Sequence, residues 1–269
     1  MKKAFLIISI FISSLILSAC LQVDTSVFVN DDGSGSLEET IMFKEEVVEM
    51  MKQFIIAFDS TKSEDFNLFN EEELISKAEK YGEGVTYISS ERLKSNGFEG
   101  VKVKYAFNDI SKLNLSLIAD EQVPGLDETE KEKSPDEILK FIFSRNEGKA
   151  NLKIFLPSLK TEIDQEQNAE VVNDSTFQEE FENAKQMFSD MRMTLKVIPS
   201  KKIIQTDADF INDNQITLME LNINALLDKP DLFRELSGNK IKSLDEFRQL
   251  TKNIEGIKIE SKNLVQIHF

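Results

Sequence analysis

Leu21 to Phe43, LQVDTSVFVNDDGSGSLEETIMF, is the stretch from which the fold can be read. Leu21, Val23, Val27 and Val29 alternate with Gln22, Asp24, Ser26 and Asn30, the period of a strand buried on one face. Asn30-Asp31-Asp32-Gly33-Ser34-Gly35 then gathers turn-forming residues, and Leu37 to Phe43 runs back, so the stretch predicts a β-hairpin. Its tip admits a second reading. Asn30, Asp32, Gly33 and Glu39 stand where ligands three and five, the glycine and the closing glutamate of a calcium loop would stand. Phe28 holds the first ligand position, which needs a carboxylate, and strands on both sides leave no place for the helices that flank such a loop. No metal site is expected.

Upstream, Met1 to Cys20 reads MKKAFLIISIFISSLILSAC, the form of an export signal. Lys2 and Lys3 give a positive start, Ala4 to Ile16 a largely apolar run of about 13 residues, and Leu17-Ser18-Ala19 a small-residue cleavage site. The run is shorter than the ~20 residues a spanning helix needs. The ending resembles the lipobox of bacterial lipoproteins, in which the cysteine takes a diacylglyceryl group, the signal is cut before it and the new amino terminus is acylated. Residues 1–19 are therefore expected to be a cleaved lipoprotein signal peptide and Cys20 the lipidated residue. This places the chain on the extracytoplasmic side of a bacterial envelope, held to the membrane by the lipid on Cys20.

The compartment bounds the rest. Cys20 is the only cysteine, so no disulfide can form within the lipidated chain. The full chain carries 32 Lys and Arg against 48 Asp and Glu, a net charge of −16, and loss of Lys2 and Lys3 takes this to −18. So acidic a chain excludes nucleic acid as a partner and repels anionic headgroups within a screening length of ~8 Å. The acyl chains must supply attachment; one chain binds marginally, at about 10⁴ per molar, and two or three bind durably.

Downstream, Lys44 to Phe58 has helical spacing, with Val47, Met51, Phe54, Ile55 and Phe58 on a broad apolar face. Asn70 to Lys80 predicts a second helix, capped by Asn70 with Glu73 at the capping-box position. Val85 to Leu93 and Gly100 to Phe107 read as strands joined at Asn96-Gly97, and Asp109 to Ile118 is open between helix and strand. Residues 124–135, PGLDETEKEKSP, form a charged surface loop. Ile138 to Phe143 and Leu152 to Leu156 predict another hairpin, and Ser175 opens a helix with Phe177, Phe181, Ala184 and Phe188 on one stripe, expected to lie on a sheet. Met193 to Val197, Ile203 to Phe210 and Gln215 to Ile223 read as strands, the last with a bulge at Leu218-Met219. Asn224 to Leu236 and Leu244 to Ile254 are expected as helices, and two short strands close the chain. The expected fold is α+β, with antiparallel sheets built from hairpins and amphipathic helices packed on one face. Residues 20–223 form the main domain, and 224–269 a helix-helix-strand extension packed on it.

Three stretches in this order resemble the LppM-domain family of bacterial lipoproteins. They are the lipidated cysteine followed by a strand and the Asp31-Asp32-Gly33-Ser34-Gly35 tip, the run Gly97 to Ile110 (GFEGVKVKYAFNDI), and the late strand pair Met193 to Leu221 with its break at Pro199 and polar turn at Asn212 to Asn214. Pro199-Ser200 replaces the family's usual Pro-Gly, and Met219 or Leu221 stands where a tryptophan is often found. The resemblance implies an α+β domain at the envelope surface without enzymatic activity, with lipid or glycolipid binding suspected for some members.

The residues themselves offer no catalytic set. His268 is the only histidine and there is no tryptophan or free thiol, while the paired glutamates sit at hairpin ends or first helical turns, where acids favour the helix dipole or solvent. No catalytic residue, cofactor or protein partner is assigned. Two functions remain open: a binder of a lipid or other apolar envelope ligand, lined by Phe54, Ile55, Phe58, Phe181 and Phe188, or a scaffold that docks another envelope protein. An unfilled interior favours the first and an exposed apolar patch the second.

Overall fold

Nine residues of strict alternation make β1 (Leu21–Val29) buried on one face, and pairing on both edges puts it in the middle of the larger sheet. The computed structural model describes residues 21–58, 69–117, 138–157, 174–237 and 244–269. β1 returns through the expected turn into β2 (Gly35–Lys44), in register from Leu21 opposite Phe43 to Val29 opposite Gly35. Gly33 takes φ +87°, and its carbonyl accepts the Ile110 N–H at 2.9 Å. α1 (Glu45–Phe58) and α2 (Glu71–Lys80) follow, the latter capped by Asn70, whose side chain accepts the Glu72 N–H at 3.1 Å. β3 (Val85–Ser95) and β4 (Phe98–Phe107) form the Asn96-Gly97 hairpin, both turn residues having positive φ as the expected turn requires.

The open stretch after β4 resolves into a 3-10 turn at Ile110–Lys112 and the short strand β5 (Leu115–Ser116). β6 (Ile138–Asn146) and β7 (Lys149–Phe155) form the second expected hairpin. α3 (Asp174–Phe188) leads into β8 (Arg192–Pro199), then β9 (Gln205–Thr206), β10 (Ile211–Asn212) and β11 (Gln215–Asn222). The bulge falls where the alternation breaks, between Thr217 and Met219, and buries Leu218. The expected strand Ile203 to Phe210 is a correction: only Gln205–Thr206 pairs, and it joins the other sheet. The expected helix Asn224 to Leu236 is two helices, α4 (Ile223–Leu227) and α5 (Pro230–Ser237). Pro230 has no N–H to continue a helix but suits a first position. α6 (Leu244–Thr251), β12 (Ile257–Ile259) and β13 (Leu264–His268) end the chain.

The larger sheet runs β10-β11-β8-β1-β2-β4-β3, with β12 paired to β11, and the smaller β5-β6-β7-β13-β9. The fold is α+β and mostly antiparallel, as expected, but β1 and β8 run parallel, a pairing that hairpins cannot make. The expected boundary at residue 223 has no counterpart in the pairing: β12 extends the larger sheet and β13 lies between β7 and β9. One core joins Val23, Val27, Ile41, Val103 and Val197 of the larger sheet to Phe141, Ile154 and Val265 of the smaller, with Val47 of α1 and Leu74 of α2 covering it.

Candidate functional site

The end of the larger sheet that holds Leu21 gathers the features nearest the expected attachment point. Residues 1–20, and with them Cys20, lie outside the described residues, but Leu21 is already the first residue of β1, so no spacer separates the cysteine from the fold. Beside it, the Gln22 amide donates to the Asp190 carbonyl at 3.3 Å, and the Lys44 ammonium lies 2.9 Å from the Asp190 carboxylate. Hydrogen bonding to Lys44 and Asn224 holds the Asp190 carboxyl below the usual carboxylate range. Ile223 N–H donates to the Met191 carbonyl at 3.1 Å, bringing the start of α4 to the end of α3.

From this end hangs an aromatic cluster. Phe177, Phe181 and Ala184 of α3 are buried with Leu227 of α4, and Phe188, Ile223 and Phe233 pack against them. Phe181 meets Phe233 edge to face at 5.2 Å and stacks near Phe177 at 5.9 Å, while the Arg234 guanidinium sits 4.2 Å above the Phe177 ring. Among the described residues this cluster is separate from the sheet core, so α3 packs on helices where a sheet was expected. Phe181 and Phe188 of the expected ligand-lining set are thus brought together here. The side chains of Phe54, Ile55 and Phe58 lie outside what is described, as does the 124–135 loop.

A second polar feature escaped the sequence reading. Glu39 is fully buried on the inner face of β2, between Thr25 and Val103, and its Oε2 accepts from the Tyr81 hydroxyl and from Lys77 Nζ at 3.2 Å. Its other oxygen has no partner. Tyr105 packs against Tyr81 at 5.0 Å and donates to the Leu74 carbonyl at 3.1 Å, and burial, then the Glu39 charge, drives its hydroxyl pKa up. The parity of Leu37, Ile41 and Phe43 was the available signal, since it turns Glu39 inward. Sealed from solvent, the group pins α2 to the sheet. It is also turned away from the calcium role: Asp32 bonds Ser34, and Asp31 bonds Lys201 and Arg145.

Glu260 is likewise fully buried, accepting the Asp209 N–H at 2.8 Å and the Lys262 N–H at 3.0 Å. Burial pushes its carboxyl up. Partial burial acts the same way on Asp209, but the Lys262 ammonium and the Ser261 donors prevail and hold it well below the carboxylate range. This clasp ties the loop before β10 to the chain end.

The outer face of the smaller sheet is the remaining feature. Leu139, Phe141, Leu152, Ile154, Val265 and Ile267 point into the core, so their neighbours point out. Lys140 lies beside Phe155, which lies beside Leu264, and Ile142 lies beside Lys153. Ile142 is 51% and Phe155 37% exposed. Ile138, Ser144, Lys149, Asn151, Gln205, Gln266 and His268 also lie on this face, and among the described residues it carries no carboxylate. Among the described residues there is no group of three or more metal-ligating side chains and no helix long and apolar enough to cross a membrane.

No family model matches the sequence, and no curated protein matches it. Among solved structures the chain is similar to the folded domain of the Mycobacterium tuberculosis LppM protein, at 13% identity and a TM-score of 0.28, over 76% of this chain and 82% of that one. The likeness is distant and identifies neither ligand nor activity.

Proposed function

We propose that this chain is a lipid-anchored protein of a bacterial envelope that works by binding and not by catalysis, its ligand a lipid or another apolar envelope molecule. The observation that supports this is a coincidence at one end of the larger sheet. β1 begins at the residue after Cys20, and the α3–α5 phenylalanine cluster hangs from the same end through the Gln22–Asp190 contact. An acyl chain leaving the bilayer meets that cluster first.

The test is lipid extraction and mass spectrometry of the purified lipidated protein, with Phe181→Gln beside the wild type. If Phe181 lines a ligand site, the variant folds and loses the co-purifying lipid. If Phe181 only packs, the substitution costs several kcal/mol through combined cavity and buried-polar terms. A folded variant that keeps its lipid, or a wild-type protein with none to extract, overturns the reading. The alternative, an accessory subunit docking another envelope protein, is favoured by one observation, the exposed Ile142 and Phe155 on the smaller sheet.

A further inference from the structure

The outer face of the smaller sheet has a charge opposite to that of the molecule. The chain's net charge is −16, yet Lys140, Lys149 and Lys153 project from this face with no carboxylate among them, and none of the three is paired with an acid among the described residues. Several lysines elsewhere are neutralised, Lys102 and Lys104 by Glu38 at 2.9 and 3.0 Å, Lys258 by Glu220 at 2.7 Å and Lys112 by Glu83 at 2.9 Å. Those unpaired among the described residues, such as Lys185, Lys229 and Lys252, do not share a sheet face with exposed apolar side chains. Glu147 stands in the hairpin turn and Asp207 beyond the edge strand, where the Gln266 N–H engages it at 2.7 Å; Asp136 and Glu137, which precede β6 in sequence, lie outside the described residues. Between the lysines, Ile142, Phe155 and Leu264 leave apolar surface at the same level.

We propose that this face docks onto an anionic lipid surface, the three ammonium groups meeting headgroup phosphates and the three apolar side chains entering the glycerol level between them. The composition favours lipid over protein. Protein interfaces draw on arginine and aromatic anchors and are depleted in lysine, whereas lysine is a point-charge partner for phosphate that suits a fluid, unregistered surface. Charge complementarity also orients the molecule: the acidic remainder is repelled within ~8 Å of the bilayer, so this is the face that a negative membrane selects. At about fivefold per lysine near the surface, the three together give a preference of about a hundredfold for anionic over neutral bilayers, falling as salt is raised. This is a different site from the α3–α5 cluster and stands whether or not that cluster binds a ligand.

The test uses the full lipidated chain with a fluorophore on Asn146→Cys, the only free thiol once Cys20 is acylated. It is reconstituted in phosphatidylcholine vesicles or in vesicles containing phosphatidylglycerol, and headgroup-quencher lipid is placed either in the anchoring bilayer or in added vesicles. Quenching that requires phosphatidylglycerol, in either bilayer, and that is lost in K140E/K149E/K153E supports the proposal. K185E/K229E/K252E makes the same charge change on exposed lysines elsewhere and should keep it. Equal quenching with and without phosphatidylglycerol, quenching in neither bilayer, or equal loss in both triple variants overturns the proposal. So does a wild-type dimer in detergent that K140E/K149E/K153E dissolves, since the face is then covered by a second copy.

Discussion

Replacing Glu39 with leucine tests whether the core carboxylate holds α2 to the sheet. The Glu39 carboxylate and the Lys77 ammonium attract by about 5 kcal/mol at 3.2 Å and an effective dielectric of 20, but both were taken out of water to meet, and one Glu39 oxygen still lacks a partner. The pair as a whole therefore contributes little net stability, while breaking it strands a buried ammonium and takes the Glu39 acceptor from the Tyr81 hydroxyl. Glu39→Leu alone should cost about 3–5 kcal/mol, or about 10 °C in Tm for a domain of this size. Glu39→Leu/Lys77→Met/Tyr81→Phe removes every stranded group and should return to within about 1 kcal/mol of wild type or exceed it. The assay is urea unfolding followed by tyrosine emission. Tyr81, Tyr87 and Tyr105 are the only tyrosines and there is no tryptophan, so the signal comes from this cluster, whose rings lie 5.0 and 6.2 Å apart. A single variant costing under about 1 kcal/mol, or a triple variant as unstable as the single, refutes the account.

Gly33→Val should destabilise the fold by about 2–3 kcal/mol, because φ is +87° and the new Cβ would lie 2.7 Å from the Phe143 ring; millimolar calcium should leave its thermal melt unchanged. Cys20→Ser should remain membrane-bound through an uncleaved signal and carry no acyl chains, read by mass and fractionation; a variant cut at the same site and still acylated would end the lipoprotein reading. The Asp209 carboxyl titrates below its unfolded value of 3.8, so its contribution is present above that pH and lost as the pH falls through the lower folded value. Asp209→Asn should therefore lower Tm near neutrality and flatten the acid limb, with the two melting curves drawing together progressively as the pH falls below 3.8 towards the lowered folded value.

Much of the chain's local structure was legible in the sequence because its cause is local. Alternation in Leu21 to Val29 and Val101 to Phe107 reports which side chains face the core, and Asn96-Gly97 adopts the positive φ that its residues tolerate cheaply. Breaking that alternation at Leu218 was enough to locate the bulge. Period alone says which face is buried but not which strand lies alongside. The parallel union of β1 with β8, whose paired residues are 170 apart, and the seating of β13 between β7 and β9 were decided where buried faces met to exclude water. The same holds for the candidate sites. Cys20 is marked by a local signal, and Phe181 and Phe188 by a helical stripe, yet that stripe found Leu227 and Phe233 and not a sheet. Glu39 stood in sequence as one of two adjacent glutamates; only the covering of β2 by α2 made one of them a surface partner of Lys102 and Lys104 and the other a buried charge.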